Sequence, residues 1–383
     1  MADLTISLDL GSLMNKAIFT LKPFKPELML MHSEVANATK KNMEAECEQN
    51  SSSSLRPENF AWIEYEGKYR AIGFFARERF DGDLNLEEPK FTLALYKTLA
   101  IMGAIAKKKG LPNGATVRLG CMLPVGEYED RKLFEQMITE ALVSFRFQGE
   151  EKSFELESYV CHPEGFGLLS RGRKPGSSLR ERMVVVIMIG YRDASVFIMN
   201  RGIMTKGITK ELGFSKFIEI VTRQAPGQKN IVKLVEAVCK AGPQISVEAI
   251  AHLSRFTEAG LKKKEISRLA AAIAIAREQY WLTLSSWLRK RIPSEADEVI
   301  IGGGTAYFYQ QEFNALVPSR VANWATGLEE QVNRCFPVEI AENDLSFRLT
   351  DDYGYFYYVY GTGSEPGLDL AKVAKASHLS LGR

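Results

Sequence analysis

The sequence predicts an α/β protein built from two related halves. Three segments of the 383-residue chain carry that expectation. Residues 6–19, ISLDLGSLMNKAIF, read as a strand, a Gly-Ser turn and a returning strand. Residues 183–202, MVVVIMIGYRDASVFIMNRG, repeat the pattern around Gly190. Residues 297–308, DEVIIGGGTAYF, run a strand into three glycines, a threonine and the start of a helix.

Between these landmarks the elements follow in an order that suits such a fold. After the first hairpin, residues 22–90 are less regular and read as a small insertion beside the first domain. Within them the polar stretch KKNMEAECEQNSSSS reads as a mobile loop. FAWIEYEGKYRAIG reads as a hairpin turning at Glu66-Gly67. Residues 91–106 are helical, with Lys107, Lys108 and Lys109 suiting the C-terminal end and Gly110 stopping it. TVRLGCMLPV (116–125) is a buried strand, and residues 129–145 place Leu133, Phe134, Met137, Ile138, Ala141, Leu142 and Phe145 on one helical face. FELESYV (154–160) is a strand.

The Gly/Pro-rich segment 171–182 is the expected junction between a first domain, 1–175, and a second, 176–334. Helices near 209–225, 228–240 and 246–258 follow. A long one over 264–291 repeats Ile266, Leu269, Ile273, Ala276, Tyr280, Leu284 and Trp287 at helical spacing. Residues 335–383 form a C-terminal extension of unassigned packing. Its five tyrosines between Tyr353 and Tyr360 read as a strand with both faces occupied, and its tail as a short helix.

Composition narrows the functional classes. A net charge of +2 offers no whole-protein attraction for nucleic acid or membrane. Five scattered cysteines, without a CxxC, read as a reducing compartment rather than a disulfide framework or zinc site. No signal peptide is evident and the longest apolar run is too short to span a bilayer, so the expected location is cytoplasmic. The basic clusters Lys262–Lys264 and Arg289–Arg291 sit at helix ends and read as solvated caps.

The three turns carry the candidate chemistry. A nucleoside triphosphate needs backbone N–H groups at its phosphates, positive charge and usually magnesium. Gly11 and Ser12 offer a tight turn, Lys16 a point charge for a phosphate, and Asp9 a strand-end carboxylate for magnesium. Taken alone, this is first an ordinary hairpin with an Asp-x-Gly turn. Gly190, Tyr191, Arg192 and Asp193 form a second such turn, open to the same two readings. Gly302, Gly303, Gly304 and Thr305 after a buried strand let the backbone lie flat against a purine or phosphate. This is neither a Walker A loop nor a dinucleotide fingerprint, because the following residues and the spacing differ.

In this order the turns resemble the actin-like ATPase superfamily, and within it the ParM/StbA-type plasmid-segregation actins. LGCMLPVGEY (119–128), HPEGFG (162–167), the segment Gly207 to Phe217 and VANWATGL (321–328) resemble further motifs of that group. The resemblance runs from about residue 3 to 330. It implies a two-lobed, ribonuclease H-like fold with a nucleotide cleft between related domains. It also implies ATP and Mg2+ as ligands, a magnesium role for Asp9, phosphate contacts from Gly11, Ser12 and Lys16, and adenosine packing by Gly302–Thr305. Glu164 would orient the attacking water in phosphoryl transfer. The implied partners are further copies of the chain in a filament and a DNA-binding adaptor.

One position departs from the pattern. Where the group carries a second magnesium-holding aspartate, this chain has Met188, a poor magnesium ligand. Asp193 reaching in from the turn would keep an ATPase. Otherwise the chain is a nucleotide-binding scaffold or adaptor that hydrolyses little. A small-molecule kinase on the same fold is the remaining alternative.

Overall fold

The computed structural model describes residues 2–49, 55–173, 178–228, 230–343 and 346–361. The chain divides into two compact units, Met1–Pro175 with Ala325–Arg383, and Gly176–Trp324.

The first unit begins with the hairpin β1 (Leu4–Leu10) and β2 (Met14–Thr20), followed by β3 (Glu27–His32). After β4 (Val35–Ala38) comes a helix, α1 (Lys40–Gln49), where the sequence suggested a loop. Its charged side chains face solvent while Met43 is buried against Trp62, Phe75 and Ala76. That anchor, with Cys47 half-buried beside the same cluster, is invisible to a reading based on polarity. The serines that follow lie outside the described residues. β5 (Trp62–Tyr65) and β6 (Lys68–Ile72) form the expected hairpin, with Glu66 and Gly67 both at positive φ. α2 (Phe74–Arg79) and the long α3 (Lys90–Lys109) follow.

Next come β7 (Ala115–Leu123), α4 (Arg131–Val143), β8 (Phe145–Phe147), β9 (Glu150–Lys152), β10 (Phe154–Pro163) and α5 (Phe166–Arg171). β8 and β9 complete a sheet of order β4-β6-β5-β8-β9. Residues 22–90 are therefore no self-contained insertion: β3 joins the main sheet, and the second sheet needs strands from 145–152.

The second unit holds β11 (Met183–Ile189), β12 (Ala194–Asn200) and β13 (Ile203–Lys210). Strand pairing continues to Lys210, so the next helix, α6 (Phe214–Gln224), starts later than the expected 209. α7 (Ile231–Ala241), α8 (Val247–Ile250) and α9 (Ala259–Arg289) follow, and the whole predicted apolar stripe of α9 is buried. β14 (Glu298–Gly302), α10 (Gly304–Phe308), α11 (Gln310–Leu316) and β15 (Ala322–Asn323) complete it.

The main sheets of the two units share one plan. The orders β10-β7-β1-β2-β3 and β13-β12-β11-β14-β15 each combine an antiparallel three-strand meander with two strands parallel to its first member. In β1 the even residues Leu4, Ile6, Leu8 and Leu10 enter the core that includes α3. The odd residues Thr5, Ser7 and Asp9 point to the other face, as strand geometry requires.

That polar face is covered by the C-terminal chain. α12 (Thr326–Cys335), α13 (Pro337–Asn343) and α14 (Thr350–Tyr360) all belong to the first unit. Residues 325–334 thus belong with the first half, not the second as the sequence suggested. The tyrosine-rich segment is a helix, α14, and not a strand. It packs on β1, β2, β7 and α5. Gly354 crosses Gly167 so closely that a Cβ on Gly354 would lie 2.4 Å from the Gly167 carbonyl oxygen. Tyr353–Tyr357 and Phe356–Tyr360 pair at helical spacing. Tertiary packing here overrides the β preference of tyrosine. The tail beyond 361 lies outside the described residues.

Candidate functional site

In the first unit, Asp9, the last residue but one of β1, lies directly opposite Lys16 of β2, and their side chains form an ion pair. Both are mostly buried, at 14% and 13% exposure. Lys16 Nζ also donates to the Arg348 carbonyl, 3.2 Å away. The turn between them is tight: a Cβ on Gly11 would sit 2.6 Å from the Met14 carbonyl oxygen. Ser33 Oγ donates to the Gly11 carbonyl, and Asn15 Nδ2 donates to the His32 carbonyl at 3.0 Å, so the end of β3 braces the turn. Ser12 is largely buried.

Glu164 is the first residue beyond β10. Its amide donates to the Leu123 carbonyl at 2.8 Å and its carboxylate pairs with Lys90 at the start of α3. Gly165 follows at φ 95° and caps α5. Its amide donates to Asp351 Oδ2 at 2.7 Å, and the Leu168 amide donates to Asp351 Oδ1 at 3.1 Å. The next residue, Asp352, accepts from Ser7 Oγ at 2.6 Å. Burial pushes Asp351 up to about 7 against the pull of the Gly165 hydrogen bond, and the negative charges of Asp9 and Glu164 add to the rise. Burial also raises Asp352, against the Ser7 hydrogen bond. Asp9, Glu164, Asp351 and Asp352 therefore share one region of this unit.

Among the described residues, no group of three or more His, Cys, Asp or Glu side chains could hold a metal ion by itself. Magnesium is usually held by one or two carboxylates, water and substrate phosphates. Asp9 on a strand end beside a glycine turn fits that manner of binding.

In the second unit, the Gly190 turn is closed by its own amide donating to the Asp193 carbonyl at 2.9 Å. The carbonyls of Gly190, Tyr191 and Arg192 accept from the amides of Phe214, Ser215 and Gly213 at the head of α6. Asp193 is buried in an ion pair with Arg192, Nε to Oδ2 2.7 Å. Burial raises the Tyr191 hydroxyl to about 12. Met188 pairs across the sheet with Ser195 and with Gly302.

The glycine turn locks onto this one. Gly303, at φ 91°, lies against β11 where a Cβ would be 2.3 Å from the Ile189 carbonyl oxygen. Thr305 Oγ1 donates to the Gly190 carbonyl at 2.6 Å. Gly302 ends β14 and Gly304 opens α10. Part of the triple-glycine signal thus reflects close packing within the unit, and the Thr305 hydroxyl braces the neighbouring turn.

The structure gathers the candidates Asp9, Gly11, Ser12, Lys16 and Glu164 in one unit and Gly190–Asp193 with Gly302–Thr305 in the other. The sequence reading missed Lys90, Ser33, Asp351 and Asp352. An Asp-Asp pair with a glycine ten residues on (Gly361) is a helix-start and helix-stop signal that could have found the last two.

No family model matches the sequence and no curated protein matches it. Solved structures do. A ParM protein from Clostridium botulinum, solved as a 15-stranded filament, matches with a TM-score of 0.59 at 13% identity, over 94% of this chain and all of that one. The actin-like protein Alp7A matches with a TM-score of 0.61 at 12% identity, over 94% of this chain and 96% of that one. Bacillus thuringiensis ParM, solved with ATP, matches with a TM-score of 0.54 at 12% identity, over 94% and 100%. At such identities the likeness speaks to fold, and the fold is the actin-like ATPase fold of the ParM type. Among the described residues no helix is long and apolar enough to cross a membrane.

Proposed function

We propose that this chain is an actin-like protein that binds ATP with magnesium and assembles head to tail into filaments, serving plasmid or DNA segregation through a DNA-binding adaptor. The observation that carries this reading is the duplicated sheet with a braced turn at the same place in each half. One turn presents Asp9, Gly11, Ser12 and Lys16, and the other the Gly190–Asp193 backbone locked to Gly303 and Thr305. The filament of the Clostridium botulinum neighbour and the ATP of the Bacillus thuringiensis neighbour support the same assignment by analogy of fold.

In this proposal Lys16 meets phosphate oxygens, Asp9 holds the magnesium through water, and Glu164 orients the attacking water. Magnesium, when bound, would offset the negative charge that develops on the phosphates. Head-to-tail contacts that do not close on themselves give a filament. Nucleotide state would bias assembly by binding the competent conformation more tightly.

A second reading has specific support. Met188 supplies no carboxylate, and Asp193, the candidate replacement in the same turn, is engaged by Arg192. Both favour a scaffold that binds nucleotide and hydrolyses it slowly.

Light scattering with simultaneous phosphate release, at rising protein concentration with and without Mg-ATP, separates the two. Scattering above a critical concentration followed by phosphate release is the expected result for a dynamic filament. Scattering without release favours the scaffold. Absence of both scattering and nucleotide binding would refute the proposal.

A further inference from the structure

Asp351 and Asp352 open α14 side by side and are buried, at 4% and 0% exposure. Burying a carboxylate is expensive unless its oxygens are bonded, so the partners show what the burial achieves. Asp351 spends its two oxygens on two amides at the start of α5, those of Gly165 and Leu168. Those amides have no partner inside a helix. An exposed Ser or Thr would cap them with far less desolvation. Gly165 is bonded directly to Glu164, and the crossing of Gly354 over Gly167 holds α14 against the same short helix. The chain just before α14 also reaches the first turn, where the Arg348 carbonyl accepts from Lys16.

We propose that Asp351 is a positioning residue whose carboxylate fixes the peptide following Glu164 and so sets the direction of the Glu164 side chain. This inference rests on the role given to Glu164 in the proposed function. Glu164 is then held from three sides: its amide by Leu123, its carboxylate by Lys90 and its following peptide by Asp351. Two donors approaching from different directions need two acceptor oxygens. An asparagine offers one and sets its amino group against the second N–H. α14, which the sequence places in an appended segment, thereby becomes part of the nucleotide-facing apparatus of the first unit.

The test uses the full-length chain with Asp351→Asn, and Asp351→Ser should the asparagine variant not fold. Nucleotide affinity is expected to stay near that of the wild type. Phosphate release should fall by about tenfold or more. Adding Asp351→Asn to Glu164→Ala should slow release no further, because the two act as one unit. Hydrogen exchange over residues 163–171 gives a readout independent of hydrolysis. With Mg2+ and a non-hydrolysable ATP analogue, the wild type should gain protection there and the variant should not. A variant matching the wild type in both rate and protection would overturn the inference. So would losses of affinity and rate together that add to those of Glu164→Ala, since that is the pattern of a merely structural role. A wild-type chain that binds no nucleotide would instead refute the proposed function and this inference with it. One that binds without releasing phosphate would refute hydrolysis alone and leave the exchange readout to decide.

Discussion

Replacing Gly354 with alanine sets two effects of opposite sign against each other. In an exposed helix interior the change would stabilise by about 0.8–1 kcal/mol, because glycine is a poor helix former. Here the added Cβ would lie 2.4 Å from the Gly167 carbonyl oxygen and 2.8 Å from its carbon. Both are backbone atoms of a packed helix and cannot rotate away. Restoring an ordinary contact of about 3.5 Å displaces α14 by about an ångström. That displacement stretches the Asp351 bonds to Gly165 and Leu168, 2.7 and 3.1 Å long, and the 2.6 Å Ser7–Asp352 bond. Overpacking costs about 1–3 kcal/mol, and loosening buried carboxylates from their donors about 1–3 kcal/mol more. The net expectation is a loss of about 3 kcal/mol. For a unit of this size that lowers Tm by about 6–12 °C, measured by thermal unfolding followed by circular dichroism. A Tm equal to or above that of the wild type would refute the close crossing and, with it, the assignment of residues 350–360 to a packed helix.

Three further outcomes are expected. Asp9→Ala should abolish binding of Mg-nucleotide in a calorimetric titration; unchanged affinity would remove Asp9 from the site. Met188→Asp should raise phosphate release by about a hundredfold if a missing carboxylate limits hydrolysis, since such a group is worth roughly 3 kcal/mol in the transition state; an unchanged rate would show that Met188 is not the limitation. His162 is buried, and its pKa is lowered to about 3, first by burial and then by Arg131. The unfolded chain then binds the proton between pH 6.5 and 3 while the folded one does not. The histidine therefore costs stability as pH falls, by about 1.4 kcal/mol per unit. The stability difference between the wild type and His162→Gln should shift against the wild type from pH 6.5 downward. A difference independent of pH in chemical denaturation would contradict the burial of His162 against Phe166 and Tyr355.

The sequence by itself determined what is local. The two hairpins with their Gly11 and Gly190 turns, the stripe on α9 and the strand before Gly302 are written in short-range alternation, helical spacing and turn residues. The repetition of strand, glycine turn and strand was enough to indicate two related halves. Only the tertiary structure decided what covers the polar face of β1. Thr5, Ser7 and Asp9 alternate with leucines and isoleucine as on a solvated sheet, yet α14 lies on them from more than 300 residues away in sequence. Strand periodicity says which residues share a face but not what packs on it. The same limit explains α1, held by the one buried Met43, and the tyrosines of α14. Their β preference yields to a helix where Gly354 and Gly167 allow two backbones to touch, Asp351 meets the amides of Gly165 and Leu168, and Asp352 meets Ser7. The candidate site divides likewise: Asp9, Lys16 and Glu164 stand in motifs a sequence displays, whereas Lys90, Asp351 and the Thr305–Gly190 bond join residues that only folding brings together.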